Sequence, residues 1–286
     1  VIRLTALGVA LCLCAGCVGA GRVEPASPAI PLEPERTIEL ASSAAGICGD
    51  ADGMLVLESS GTRILRYDFG WQVSGLASGY GPVTALRARD TLPLTERVTA
   101  PSGIAADRFY IYIYDDHTLY RMSREKLSLQ PWLGNVRVVG LAGFEPGIML
   151  VSDADRNSIW YKGLFGESRR FISSAEIARP GAMVALKDGN FAVASAASKL
   201  LYYFNRSGVV TRTASLPAAC DLLVANGQGT LYLGVRGKPQ VWVLSSGKMT
   251  GYSLSGSVSP LSLAIVGGRL AVLDAGTKLR IFRVGD

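Results

Sequence analysis

The sequence predicts an all-β chain folded as a six-bladed β-propeller. Three observations predict it: short apolar stretches punctuated by Gly, Asp, Asn and Ser, their recurrence at a fixed period, and one unmatched strand ahead of the first repeat. The sharpest register mark is an apolar–aromatic segment late in each repeat, reading RILRYD, HTLYRM, NSIWYK, KLLYYF, PQVWVL and KLRIFR. The aligned apolar residues are Ile64, Leu119, Ile159, Leu201, Val241 and Leu279. From Leu119 onward their steps stay close to 40 residues, while the first step, 55, marks an insertion in the first repeat.

Two further strands precede each mark. The nearer set is MLVLE, YIYIYD, IMLVSD, FAVAS, TLYLG and LAVLD; the farther set is AGICGD, SGIAAD, VGLAGF, AMVALK, DLLVAN and SLAIVG. A less regular outer strand follows, which makes four strands per unit of about 40 residues, the proportions of a propeller blade. Helical periodicity is confined to a few residues around Ser173–Ile177. The sixth repeat ends after its third strand, and residues 37–42, TIELAS, stand unmatched before the first. Pairing them with the last blade closes the ring and removes an open sheet edge. The propeller is expected over residues 37–286.

Two repeats carry a family resemblance. APSGIAAD followed by IYIYDDHTLYRM, and GIMLVSDADRNSIWYK, resemble NHL repeats. The resemblance implies a six-bladed propeller and no particular reaction, because this fold hosts lyases, lactonases, receptors and scaffolds alike.

Residues 1–16 have the order of a secretory signal: Arg3, an apolar run from Leu4 to Leu13, then Cys14, Ala15 and Gly16 directly before Cys17. The run is too short to span a bilayer, which takes about 20 residues. Ala15-Gly16-Cys17 resembles the bacterial lipoprotein lipobox, with Cys14 where Leu is usual. The resemblance implies cleavage between Gly16 and Cys17, acylation of Cys17, and a body held at the membrane of a cell envelope. Val18 after the cysteine points, by analogy, to the outer membrane, on its periplasmic side. Residues 17–36 follow as a linker with Pro25, Pro28, Pro31 and Pro34 at every third position, the period of polyproline II. Cys12 and Cys14 leave with the signal, and Cys48 and Cys220 fall in non-adjacent repeats, which favours two separate buried thiols.

A hydrophobic content of 49% excludes a disordered chain, and the formal charge of +6 suits an anionic lipid, polymer or acidic protein. No basic block interleaved with aromatics supports nucleic acid. The single histidine, His117, sits in DDHTLY between two strands and is expected at a solvated turn. Asp153, Asp155 and Asn157 have the spacing of a calcium loop, but Ser158 and Leu164 stand where Gly and a bidentate Glu are needed. Asp153 instead aligns with Glu58, Asp115 and Asp274, which suggests a turn carboxylate bonding its own backbone. Tyr110, Tyr112 and Tyr114 alternate along one strand and are expected between blades, as are Trp71, Trp132, Trp160 and Trp242. No catalytic residue, metal site or cofactor is assigned. The expected partner surface is the insertion over residues 80–99, with Arg87, Arg89, Leu92, Leu94 and Arg97. The functional expectation is a membrane-anchored protein-interaction scaffold in envelope assembly or secretion, bound to an envelope protein. The rivals are a metal-dependent lyase or lactonase and a glycan or small-ligand sensor.

Overall fold

A computed structural model describes residues 29–50, 53–71, 83–173 and 175–284. Residues 1–28, with Gly16 and Cys17, lie outside the described residues.

Six sheets, each built around one sequence repeat, form the blades. After β1 (Ile30–Leu32) and β2 (Pro34–Glu39), the first blade comprises β3 (Ala44–Asp50), β4 (Gly53–Glu58), β5 (Arg63–Trp71) and β6 (Val83–Pro93). The second comprises β7 (Gly103–Ala106), β8 (Tyr110–Tyr114), β9 (Thr118–Ser123) and β10 (Leu129–Gly134). The third follows with β11 (Val138–Glu145), β12 (Ile148–Asp153), β13 (Ser158–Lys162) and β14 (Ser168–Ile172). The fourth has β15 (Pro180–Ala185), β16 (Phe191–Ser195), β17 (Leu200–Phe204) and β18 (Val210–Ser215). The fifth has β19 (Leu222–Ala225), β20 (Leu231–Gly234), β21 (Gln240–Ser245) and β22 (Lys248–Leu254). The sixth has β23 (Pro260–Val266), β24 (Arg269–Asp274) and β25 (Lys278–Phe282), and β2 completes it. Helical structure among the described residues is one 3-10 turn, Lys187–Gly189; the stretch near Ser173 closes a single turn, with the Ile177 N–H donating to the Ser173 carbonyl.

The near-continuous apolar reading of the second strands follows from where they sit. Side chains alternate across a strand, and each blade has a neighbour on both faces, so both faces are dry. In β4, Met54 and Val56 pack against Ala264, Leu273 and Ile281 of the sixth blade. Leu55 and Leu57 pack the other way, against Ile104, Ile111 and Ile113 of the second. In β8 the roles repeat: Ile111 and Ile113 face the first blade, and Tyr112, fully buried, faces Val138, Met149 and Val151 of the third. Each of the six blade-to-blade seams holds one such cluster. The ring is therefore a cycle of small cores rather than one large core.

The closure is antiparallel pairing of β2 with β25, in the register Thr37 to Arg280 and Ile38 to Leu279. The strand begins three residues before the sequence pattern suggested and ends at Glu39. Pro34 fits because β2 is outermost, with one side free of partners. β1 adds a second latch, running parallel to β22 of the fifth blade with Ile30 opposite Tyr252 and Leu32 opposite Leu254. Pro31 and Pro34, read as part of a free linker, are thus seated on the rim of the fifth and sixth blades.

The insertion expected in the first repeat is a longer outer hairpin. β6 pairs with β5 from Trp71–Val83 down to Arg63–Pro93, and residues 72–82 lie outside the described residues.

Antiparallel order gives the ring two distinct faces. Turns between first and second strands and between third and fourth strands lie on one, here the turn face. Turns between second and third strands and the links between blades lie on the other, the connection face.

Candidate functional site

The innermost strands line a central channel of about 710 Å³. Its wall is mostly apolar residues and glycines of β3, β7, β11, β15, β19 and β23, and its charged groups sit at the two mouths. At the turn-face mouth, the Asp50 carboxylate and the Arg124 guanidinium form a bidentate pair, at 2.8 and 3.1 Å, joining the first and second blades. Arg124 Nε also donates to the Asp107 carbonyl at 2.9 Å. The Asp107 carboxylate accepts four hydrogen bonds. Oδ1 takes the N–H groups of Phe109 and Tyr110, each at 2.7 Å, and Oδ2 takes the Tyr112 hydroxyl and the Gly147 N–H, each at 2.8 Å. Gly147 belongs to the third blade, so Asp107 fastens two blades.

At the connection-face mouth, Asp221 accepts the Arg236 N–H at 2.7 Å and faces its guanidinium at 3.9 Å. Tyr114 reaches into the channel across Gly103. A Cβ on Gly103 would lie 2.1 Å from the Tyr114 hydroxyl, so glycine there is a condition for the tyrosine's position. Burial raises the Tyr114 phenol above the ordinary tyrosine range, with nearby Arg236 opposing. The Ser102 hydroxyl, at the same mouth, is buried without a hydrogen-bond partner among the described residues. Hydroxyls and guanidinium groups of this kind suit a small polar or anionic molecule. The carboxylates described at the mouths are already engaged.

Cys48 lines the channel, and Cys220 is buried at the entry to the fifth blade; the two are separate thiols. Burial pushes Cys48 up to about 12, with Asp50 adding to the rise, and Cys220 up to about 12, with Asp221 adding. An ordinary thiol titrates near 8.5, so the reactive thiolate is scarcer here by orders of magnitude. Neither cysteine is expected to react with iodoacetamide at mildly alkaline pH under conditions that label an exposed thiol. Mass spectrometry before and after unfolding checks this, and rapid native labelling of Cys48, which is half-buried on the channel wall, would show that its thiolate is not suppressed there.

The carboxylates aligned in the sequence occupy one structural position, the end of a second strand on the connection face. Glu58, Asp115, Asp153 and Asp274 are all buried. Asp115 Oδ1 accepts the His117 and Thr118 N–H groups at 2.8 and 2.7 Å, which leaves His117 at an exposed turn. Asp153 Oδ1 accepts the N–H of Asp155 at 3.1 Å and of Arg156 at 3.4 Å, and Oδ2 takes the Arg156 guanidinium at 3.2 Å. Asn157 is turned to the Arg179 N–H. The resemblance to a calcium loop therefore resolves into a turn whose acid and amide are bonded to backbone. Burial alone would raise Glu58, but hydrogen bonds from Arg63 and Ser42 outweigh it and hold the acid below its usual range. Among the described residues, no three of His, Cys, Asp and Glu gather into a metal-sized cluster.

The expected partner residues are spread along one edge. Arg87 pairs in register with Asp68, and Arg89 falls at a bulge between Ala88 and Asp90. Leu92 is buried in the seam between the first two blades, and Leu94 packs partly against the same cluster. Arg97 is exposed and donates to the Ser60 carbonyl at 3.2 Å. Among the aromatics, Tyr112 and Trp242 are buried, Trp132 and Trp160 are half-buried, and the Trp71 side chain lies outside the described residues.

A set of cation–aromatic stacks, most of them across neighbouring strands of one blade, was not visible in the sequence. Arg121 lies 4.6 Å from the Tyr110 ring centroid and 4.8 Å from that of Trp132, with Lys162 on the same indole at 5.7 Å. Arg169 covers Tyr161 at 4.7 Å, and Arg212 covers Tyr203 at 3.8 Å. The partners come from different strands of a blade, and Lys162 alone reaches its indole from the next blade, so no local spacing announces them.

No family model matches the chain, and no curated protein matches it in sequence. Solved propellers do match its fold. Virginiamycin B lyase from Staphylococcus aureus aligns with a TM-score of 0.62 at 11% identity, over 87% of this chain and 99% of that one. The WD40 β-propeller domain of Doa1 aligns with a TM-score of 0.63 at 14% identity, over 90% and 98%. A protein of unknown function from Bacteroides thetaiotaomicron aligns with a TM-score of 0.60 at 11% identity, over 89% and 73%. At such identities the likeness establishes the fold alone.

Proposed function

We propose that this chain is a lipid-anchored envelope protein whose NHL-like propeller serves as a rigid protein-interaction scaffold. The observation that carries the reading is the use the ring makes of its own charges. Asp50, Asp107 and Asp221, the carboxylates at the channel mouths, each accept from an arginine or from several N–H donors. A general base must be free to take a proton from a substrate, whereas these acids are committed to holding blades and turns in place. The lyase named among the similar structures shares this fold at 11% identity, which brings no residue roles with it. The seating of β1 and β2 on the rim supports tethering there, because the chain reaches the body only after crossing two blades.

The anchor is tested by expression with radiolabelled palmitate. Label is expected on the wild-type chain and absent from Cys17→Ser, and an unlabelled wild type overturns the anchor. The scaffold is tested by crosslinking in intact envelopes. A defined partner, weakened by Arg87→Ser with Arg89→Ser, supports the insertion edge as its contact. Stoichiometric divalent metal in the purified protein would sink the scaffold reading in favour of an enzyme.

A further inference from the structure

We infer that the turn face of the second to fourth blades is a docking surface for an anionic bilayer. Four large apolar side chains are exposed among the described residues: Ile30, Phe109, Phe165 and Val209. Ile30 is on the rim in β1. The other three lie on one face, in turns of three consecutive blades: Phe109 between β7 and β8, Phe165 between β13 and β14, Val209 between β17 and β18. Phe165 is 89% exposed, and no packing role in the fold accounts for it.

Cations surround these tips. Arg108, Lys126 and Lys187 sit in turns of the same face, exposed and without an ion-pair partner within 4 Å among the described residues. Of the acids of the face, Asp50 is held by Arg124, Glu145 by Arg206 and Asp107 by four donors, while Glu125 and Glu167 stay exposed. They are outnumbered by Arg108, Lys126 and Lys187 together with exposed Arg169, Arg170 and Arg212 on the outer strands beside Phe165 and Val209. Lys162 is buried beneath the face, beside Arg121 on the Trp132 indole, and burial together with Arg121 lowers its pKa. The local field is therefore positive where the apolar tips project.

Shape selects the occupant. A peptide needs a groove or a free strand edge. Here the apolar groups are separate tips on separate turns of one face, an arrangement that suits a plane. Apolar side chains entering the headgroup boundary with basic residues beside them is the pattern of interfacial membrane binding. The inference gives an orientation to the scaffold reading and rests on it only for the source of the bilayer. Blades five and six, where the chain enters, lie across the ring from blades two and three. The stretch from Cys17 to Ile30 spans about 40 Å when extended. That length permits the face to lie on the membrane, leaving the connection face outward for a partner.

The test uses the chain from Val18, which keeps every described element and carries no acyl group. It is floated with vesicles of phosphatidylglycerol mixed with phosphatidylethanolamine, and separately with phosphatidylcholine. Anionic vesicles are expected to carry the protein and neutral ones to leave it behind. Phe109→Ser with Phe165→Ser should weaken partition about tenfold or more. Arg108→Ser with Lys126→Ser should weaken it about tenfold and flatten its salt dependence. All four residues are outside the cores, so unchanged thermal unfolding confirms that the variants are folded. Absence of flotation with folded wild type, or equal flotation of the variants, overturns the inference. So does binding of poly-glutamate, without vesicles, that the same variants abolish, since it assigns the face to an acidic protein. The palmitate experiment decides the anchor independently of either result.

Discussion

A chain lacking residues 1–40 is expected to lose the propeller rather than to lose a strand. β2 contributes five paired positions along β25, from Pro34–Phe282 to Glu39–Lys278, and the Leu40 N–H donates to the Thr277 carbonyl at 2.9 Å. Ile38 and Leu40 pack against the seam between the sixth and first blades. Each net hydrogen bond is worth about 1 kcal/mol, and each of these partly buried aliphatic side chains about 1 kcal/mol, a fraction of the value for full burial. The sum is on the order of 5 kcal/mol or more, comparable with the whole stability of an ordinary domain. The truncation also takes the Glu35 carboxylate from the buried Arg269 guanidinium, 3.1 Å away. β25 then becomes an open edge, a template for pairing between molecules. Thermal unfolding and light scattering should show a melting temperature lower by tens of degrees, or aggregation on expression. Ile38→Asp places a charge in the same seam and is expected to cost about 3 kcal/mol. A truncated chain with an unchanged melting temperature would show that the seam cores alone hold the ring.

The legible part of this fold was the part governed by burial. Leu55, Ile113, Val151, Val193, Leu233 and Val272 are buried between two neighbours, so their strands stay apolar on both sides and the period stands out. The connection-face acids were legible for a different reason. Asp115 and Asp153 bond backbone N–H groups two and three residues ahead, an interaction confined to the local sequence. β1 was not legible, because its three residues include Pro31 and its pairing with β22 is set by a strand more than 200 residues later. The form of the first blade's insertion was hidden for a related reason. Its outer segment lacks the alternation of the other blades, so the extra residues were legible as an insertion but not as the lengthening of β5 and β6 to 9 and 11 residues. The channel and the basic face were out of reach, since Tyr114 with Arg236, or Arg121 with Lys162, meet only when blades are assembled.

Asp107→Ala is expected to damage the ring severely for a substitution outside the seam cores. Its carboxylate serves two N–H groups in its own turn, the Tyr112 hydroxyl and the Gly147 N–H of the third blade. Tyr112 is fully buried and Gly147 nearly so. Losing the acceptor strands two donors where water has little access, at about 1–3 kcal/mol each. The turn bonds add less, because their donors are nearer to solvent. A loss of about 3–5 kcal/mol is therefore expected, read as a lower denaturation midpoint with an unchanged slope. Asp107→Asn separates the two roles. Its carbonyl oxygen can still accept from Phe109 and Tyr110, and the Tyr112 hydroxyl can turn to accept from its NH₂ group, but that NH₂ cannot accept the Gly147 N–H. It should retain the turn and still lose the link between blades. Tyr112→Phe removes one donor together with its need for a partner, so alone it should cost less than Asp107→Ala. Combined with Asp107→Ala it should recover about 1 kcal/mol relative to the sum of the two. Strict additivity in that cycle, or an Asp107→Ala cost within about 0.5 kcal/mol of zero, would mean that the second and third blades are held by the seam of Tyr112, Val138 and Met149 alone.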